Sequence, residues 1–231
     1  VQRPGQSGES AVTAVDLSQA LFGVSFQNPV LLAAGTAGYG RELDGVIDLD
    51  RLGGLVTKAV SLAPRQGNAP PRVAEFPGGM LNSVGLANPG LDQVRADHLP
   101  WLLARVTRAR VLVNVVGFTE GEYAAVIAGL EGVIGIAGYE INLSCPNTSA
   151  GGVEFGADPA SVRRVLSGCR AATQRALIAK LSPALPDIPA IAQAAVEAGA
   201  DGIAVVNTMP GFLFDGALPR LGHGNGGVSG P

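Results

Sequence analysis

Short runs rich in Val, Ile, Leu and Ala recur along this chain, at residues 30–34, 54–60, 111–116, 139–144, 176–182 and 203–208. Between them, apolar side chains return at helical spacing. Runs of this length, apolar on both faces and alternating with amphipathic segments, predict parallel strands covered by helices, an α/β fold. The helix boundaries carry their own signals. Thr119 and Glu122 have capping-box spacing ahead of residues 123–128, and Asp158 is followed by Pro159, the order of an N-cap and a first helical residue. Asp187 heads a third helix in which Ile188, Ile191, Ala192, Ala195 and Val196 share one face, and Gly199 is placed to stop it. Residues 14–26 predict a hairpin, and a Gly-rich turn at residues 35–40 follows the first strand.

Polar residues interrupt these strands in a regular way. Lys58, Asn114, Asn142, Lys180 and Asn207 each sit within or at the end of an apolar run, on five successive strands. Lys58 and Lys180 are the only lysines, and every other long basic side chain is arginine. An unpaired ammonium inside such a strand costs several kcal/mol, so each lysine needs a partner. Polar groups converging from parallel strand ends form a ligand site, and this set suits a planar, partly anionic ligand with many hydrogen-bonding atoms. An open doubly wound sheet brings only the strands near its switch point to a ligand, whereas the mouth of a (β/α)8 barrel collects side chains from all of them. The pattern therefore predicts a (β/α)8 TIM barrel. About six strands are visible where such a barrel needs eight, and residues 226–231 read as a loop leading into a helix. The expectation is a barrel over residues 14–231, incomplete at its C-terminal side, after a loose tail at residues 1–13.

Composition narrows the partners. With 47% hydrophobic and 15% charged residues in 231, the chain can build one large core. A net charge of −3 offers no electrostatic footprint for nucleic acid or an anionic membrane. Cys145 and Cys169 lie far apart in different elements, which argues against a disulfide and for a reducing, cytoplasmic setting. No apolar run reaches the roughly 18 residues of a membrane span. His98 and His223 have no acidic or cysteine neighbours at metal-ligand spacing and read as surface or loop histidines, so no metal site is expected.

The sharpest local signal is Asn142-Leu-Ser-Cys-Pro-Asn147, directly after the fourth strand. A thiol at a strand end serves as base or nucleophile where its surroundings favour the thiolate. A lone cysteine is more often a small buried apolar side chain, the reading given to Cys169, which shares a helix face with Val162, Val165 and Leu166. For Cys145 the flanking Asn142 and Asn147 favour chemistry. The Pro- and Gly-rich residues 70–90 read as a long loop without regular structure, of the kind that more often carries function. Asn82, Gly85 and Leu86 are placed there to close over a small ligand, although ordinary loop glycines and an Asx-turn explain the spacing equally well.

Taken together, Val56-Thr-Lys-Ala59, Pro64-Arg-Gln-Gly-Asn68, Pro71-Arg-Val-Ala-Glu75, Met80-Leu-Asn-Ser-Val-Gly-Leu86, the Cys145 motif and Asn207-Thr208 closely resemble the class 1 dihydroorotate dehydrogenases, from about Asp16 to Pro231. Residues 151–159, together with Asn88-Pro-Gly-Leu91 and Leu99-Pro-Trp-Leu102, resemble the subclass that works with NAD through an iron–sulfur flavoprotein subunit. Class 2 members differ in having serine at the Cys145 position and a membrane-associating N-terminal extension.

The resemblance implies a barrel that binds FMN and oxidises (S)-dihydroorotate to orotate in pyrimidine biosynthesis. FAD and a [2Fe-2S] cluster are expected only on a partner subunit, in a homodimer or a heterotetramer. It implies flavin contacts at Ala34, Lys58, Ala59, Asn114, Asn142, Lys180, Val206 and Gly230, and substrate contacts at Lys58, Asn82, Ser83, Val84, Gly85, Leu86, Asn142, Asn207 and Thr208. Cys145 becomes the catalytic base. Many relatives have serine where this chain has Ala34, and the family's phosphate-gripping turns belong to the seventh and eighth strands.

Two other readings stand beside this one. The related barrel of dihydropyrimidine dehydrogenase carries a similar Ser-Cys-Pro motif but tends to have histidine where Asn147 stands. The other is a non-catalytic truncated barrel, an inert fragment or a scaffold for a partner subunit. Residues 1–231 alone are expected to aggregate through their open edges and to hold flavin weakly.

Overall fold

The computed structural model describes residues 15–144 and 154–230. Its centre is a six-stranded parallel sheet of β3 (Leu31–Leu32), β4 (Gly54–Val56), β7 (Arg110–Val115), β8 (Ile136–Asn142), β9 (Ala176–Lys180) and β10 (Gly202–Ala204). These strands neighbour one another in the order in which they follow along the chain. A doubly wound sheet reverses direction at a switch point, and the described strands contain none. They wind one way, as a barrel does. The expected α/β architecture and the strand count both hold.

Alternation along the strands assigns two faces. Val111, Val113 and Val115 of β7, Tyr139 and Ile141 of β8, and Leu177 and Ala179 of β9 face the helices in one large core. Leu112 and Ile178 point the other way and meet Val56, with Ala34, Ala137 and Ala204 packed around them, as the inner core of the sheet. The helix layer comprises α1 (Leu91–Gln93), continuing through a π-helical turn at Val94–His98 into α2 (Leu99–Leu103), and then α3 (Glu120–Leu130), α4 (Pro159–Ala172) and α5 (Ile188–Glu197).

Two of the three expected caps form. Asp158 accepts from the N–H groups of Ala160 and Ser161, both at 2.9 Å, and Asp187 from that of Ala190 at 2.9 Å. Gly199 adopts φ +100° after α5, where a β-carbon would be strained. The capping box does not form as expected. The Thr119 side chain makes no cap, and the Glu122 carboxylate accepts the N–H of Phe118 at 2.8 Å, one residue earlier than a box requires. Cys169 is buried on α4 as expected, and burial pushes its thiol up to about 12.

At the N-terminal ends of the strands, β1 (Gln19–Leu21) and β2 (Val24–Phe26) form the expected hairpin. Phe22 and Gly23, both at positive φ, make its turn, and the Phe22 ring packs where Gly202 of β10 leaves room for it. Arginines supply donors to this end: Arg175 reaches the carbonyls of Val133, Ile136 and Glu131, and Arg170 those of Thr173, Arg175 and Gly199. A guanidinium offers five N–H groups in a fixed plane, which a lysine cannot replace.

A second sheet lies in the connections that follow the strands. Residues 70–90 do not form an irregular loop: β5 (Val73–Phe76) and β6 (Gly79–Asn82) are a hairpin. Nor are residues 226–229 a loop. They belong to β14 (Asn225–Ser229), which lies between β6 and β11 (Met209–Phe212) in an antiparallel sheet of order β11-β14-β6-β5. Between them a small hairpin pairs β12 (Phe214–Asp215) with β13 (Leu218–Pro219). Glycine conceals these strands in the sequence because it lowers strand propensity, yet the packing requires it. A β-carbon at Gly79 would lie 2.6 Å from the Ser229 carbonyl oxygen. Among the described residues no helix is long and apolar enough to cross a membrane.

Asp50 ties the turn before β7 in place. Its Oδ1 accepts the N–H groups of Thr107, Arg108 and Ala109 at 2.8, 2.7 and 2.9 Å, and its Oδ2 the Thr107 hydroxyl at 2.8 Å. Burial alone would raise the Asp50 pKa, but these donors outweigh it and hold the carboxyl at about 2. The folded value is below the ordinary aspartate value of about 3.9, so the stabilisation is complete above that pH and fades as pH falls toward about 2. Asp50→Ala is expected to lower the thermal midpoint at pH 7 by about 2–6 °C, on the order of 1–2 kcal/mol. The gap should close in melts taken between about pH 4 and pH 2; equal midpoints at pH 7 would show that the turn holds without Asp50.

Candidate active site

The polar residues singled out in the sequence gather where the parallel strands end. Asn114 lies near the end of β7, Asn142 closes β8 and Lys180 closes β9, with Asn142 and Lys180 directly opposite each other in the ladder. Lys58 lies two residues beyond β4 and Asn207 three beyond β10. Their backbones are pinned from both sides. The Lys58 N–H donates to the Gly38 carbonyl at 2.7 Å, so the Gly-rich turn after β3 rests on the lysine segment, and Val60 N–H donates to the Asn114 carbonyl at 2.8 Å. The Tyr39 hydroxyl donates to the Ala59 carbonyl at 2.8 Å. Burial, with the Glu42 charge adding to it, raises the Tyr39 phenol above its ordinary value, so it stays a donor at neutral pH. His98, expected at the surface, instead lies half-buried in the π-helical turn with its ring 4.6 Å from that of Tyr39.

Asn142 is 8% exposed. Its Oδ1 accepts the Ser144 N–H at 3.2 Å, and its carbonyl accepts the Tyr123 hydroxyl at 2.9 Å. Asn207 is held by a bond from its N–H to the Leu181 carbonyl at 2.9 Å, and its side chain accepts the Thr208 N–H at 2.9 Å. Ala34 packs on the inner core beside Val56, and Ala59 is buried, whereas Val206 is 39% exposed.

Lys180 has the partner that its burial requires, on the neighbouring strand. Its Nζ lies 3.9 Å from Glu140 Oε1, and the same oxygen accepts from Asn114 Nδ2 at 2.7 Å. Glu140 is 5% exposed. Burial raises its pKa, against the lowering effects of the Lys180 charge and the Asn114 hydrogen bond. The sequence pattern required a partner for each lysine and did not point to this residue. The available signal was period-two alternation, since Glu140 precedes Asn142 by two positions and must share its face.

The segment expected to contact substrate comes from the second sheet. Asn82 ends β6, and its Nδ2 donates to the Gly227 carbonyl of β14 at 3.1 Å, while Thr208 packs against the Cα of Gly227. Asn82 and Thr208, 126 residues apart by their numbers, are thus brought to one strand. Asn68, also missed, shapes the turn that follows. Its Nδ2 donates to Ser83 Oγ at 2.8 Å, its N–H bonds the Val84 carbonyl at 3.2 Å, and its side chain fills the space beside Gly85. Gly85 and Leu86 have φ +69° and +58°, a tight left-handed turn. Gly230 lies past the end of β14 against Gly78 and Gly79. Cys145 falls outside the described residues.

The sequence model of the dihydroorotate dehydrogenase family matches residues 16–231. The chain belongs to the dihydroorotate dehydrogenase family. It is 45% identical over 218 residues to the dihydroorotate dehydrogenase B (NAD(+)) catalytic subunit of Pelobacter propionicus, covering 94% of this chain and 71% of that one. The subunit of the same name from Desulforudis audaxviator is 46% identical over 219 residues, with the same coverage. A putative dihydroorotate dehydrogenase A (fumarate) of Solibacter usitatus is 43% identical, over 93% of this chain and 71% of its own.

Tyr123 connects the helix layer to the site, and its edge-on contact with Phe155, at 5.3 Å between ring centres, persists if only the hydroxyl is removed. Tyr123→Phe should therefore cost about 1 kcal/mol, a midpoint lower by roughly 2–4 °C, through the buried Asn142 carbonyl that loses this donor. An unchanged melting curve would mean that another donor anchors Asn142.

Proposed function

We propose that this chain is the catalytic, FMN-binding part of an enzyme that oxidises (S)-dihydroorotate to orotate in pyrimidine biosynthesis. The carrying observation is the ring of Lys58, Asn114, Asn142 and Lys180 at adjoining strand ends of one parallel sheet, over the apolar floor of Val56, Leu112 and Ile178. That set, with donors from Lys58, Lys180 and Asn142 and an acceptor from Asn114, fits an isoalloxazine, which is apolar across its faces and carries carbonyl and ring-nitrogen acceptors beside one N–H along one edge. When bound, a flavin would supply the acceptor for the hydride that leaves C6 of dihydroorotate.

The remaining roles fall to the chain. Lys58 and Lys180 place positive charge where electron density accumulates. Asn82, Asn142 and Asn207, with Thr208, match the alternating donors and acceptors of the pyrimidine ring, and the turn from Ser83 through Val84 and Gly85 to Leu86 closes over it. Cys145 removes the proton from C5. Ala34, Ala59, Val206 and Gly230 line the flavin through backbone contacts.

Passage of electrons to NAD through an iron–sulfur flavoprotein subunit is the electron-acceptor reading we favour, supported by the names of the relatives from Pelobacter and Desulforudis. A cytoplasmic setting is our reading, supported by a sequence with only two cysteines that lie far apart.

Two substitutions in the flavin-loaded protein test these roles. Lys58→Ala is expected to reduce dihydroorotate turnover at least a hundredfold while moving the thermal midpoint only slightly, and wild-type turnover would remove Lys58 from the site. Cys145→Ser should slow flavin reduction by dihydroorotate by orders of magnitude near pH 7, because a hydroxyl is a far weaker acid than a thiol, with partial recovery as pH rises. Orotate binding should survive. An unchanged stopped-flow rate would assign the proton transfer to another residue.

A further inference from the structure

Glu140 is an ionisable group for which the roles above have no use. Its carboxylate is buried in the innermost strand pair, paired across the ladder with Asn114 on one side and, one pleat along, within 3.9 Å of the Lys180 ammonium on the other. A buried ion pair seldom stabilises a fold relative to apolar residues of the same size, so stability alone gives no reason for an acid here. Its geometry has a directional consequence. A carboxylate only accepts hydrogen bonds, so the Asn114 amide must turn its Nδ2 toward Glu140 at 2.7 Å and its Oδ1 away, which removes the ambiguity of a free carboxamide. The same oxygen restrains the flexible Lys180 side chain, whose four-carbon stem has no other charged partner among the described residues.

We propose that Glu140 is the positioning residue of the flavin pocket: it orients Asn114 and Lys180 together and offsets part of the Lys180 charge, and thereby sets how strongly the pocket favours reduced flavin. This rests on the flavin reading of the site. Burial raises the Glu140 pKa, while the Lys180 charge and the Asn114 hydrogen bond act to keep it ionised. Of the other basic groups, Lys58 lies past the end of β4, two strands from Glu140 in the sheet, and among the described residues forms no salt bridge to it.

The test is a redox titration of the flavin against a reference dye in wild type, Glu140→Gln, Lys180→Gln and the double variant. Glu140→Gln preserves volume and an acceptor for Asn114 but leaves the ammonium uncompensated. The ratio of reduced to oxidised flavin should rise about tenfold at fixed dye ratio, a shift of about 30 mV for a two-electron couple. In the Lys180→Gln background the same change should shift the ratio less than twofold, since the effect passes through the lysine. Glu140→Asp, which retains the charge, should stay within threefold of wild type and covers the case in which Glu140→Gln fails to hold flavin.

Coincident potentials for wild type and Glu140→Gln, equal shifts in both lysine backgrounds, or loss of flavin from both Glu140 variants would overturn the proposal. A wild-type protein that takes up no flavin would instead defeat the flavin reading itself, and this inference with it. The two failures are therefore distinguishable.

Discussion

Burying an ammonium and a carboxylate at the end of a parallel sheet costs several kcal/mol for each ion, and only close mutual contact with further hydrogen bonding recovers it. Lys180, Glu140 and Asn114 meet that condition across three adjacent strands. The arrangement constrains everything around it. The strands must hold their register, because a slip of one residue would turn all three side chains toward the helices. The inner core below them must stay small, so that Leu112, Ile178 and Val56 form a floor beneath the polar layer.

The two ends of the sheet answer different requirements. At the N-terminal end, arginines and Asp50 satisfy loop carbonyls and N–H groups, and the Phe22 hairpin packs against β10. These contacts make the end rigid and leave it little chemistry. At the C-terminal end, the only two lysines of the chain sit with asparagines whose amides are partly committed to the protein and partly open. A second sheet rich in glycine carries Asn82 and Thr208 to the same end. Arginines serve both ends of the sheet, Arg72 donating to the Asn68 and Gln66 carbonyls beside the second sheet, whereas the two lysines lie at the C-terminal end alone. Guanidinium forks secure backbone carbonyls, and the compact ammonium groups lie where the polar strand-end residues gather.

Much of this was legible in the sequence because one physical signal, polar residues inside apolar runs, marks both the strands and the site. The order of strand and helix, the hairpin, the caps at Asp158 and Asp187, and the positions of Lys58, Asn114, Asn142 and Lys180 all follow from local periodicity. The second sheet was not legible. Its strands are short and crowded with Gly and Pro, so local propensity argues for loops, and only pairing between segments some 145 residues apart, such as Asn82 with Gly227, makes them strands. Glu140 was hidden for a similar reason: its meaning lies on the next strand. The Thr119 box failed because Glu122 found a donor one residue earlier, a choice that sequence spacing cannot make.

The central claim is that these strand ends form a site in which dihydroorotate gives up a hydride to bound flavin. Anaerobic titration of the flavin-loaded protein with (S)-dihydroorotate, followed by visible absorbance and by orotate formation, tests it most directly. The account predicts loss of the oxidised-flavin absorbance with one orotate formed per flavin, and no change with dihydrouracil. Flavin that dithionite reduces but dihydroorotate leaves oxidised, or that dihydrouracil bleaches instead, would contradict it.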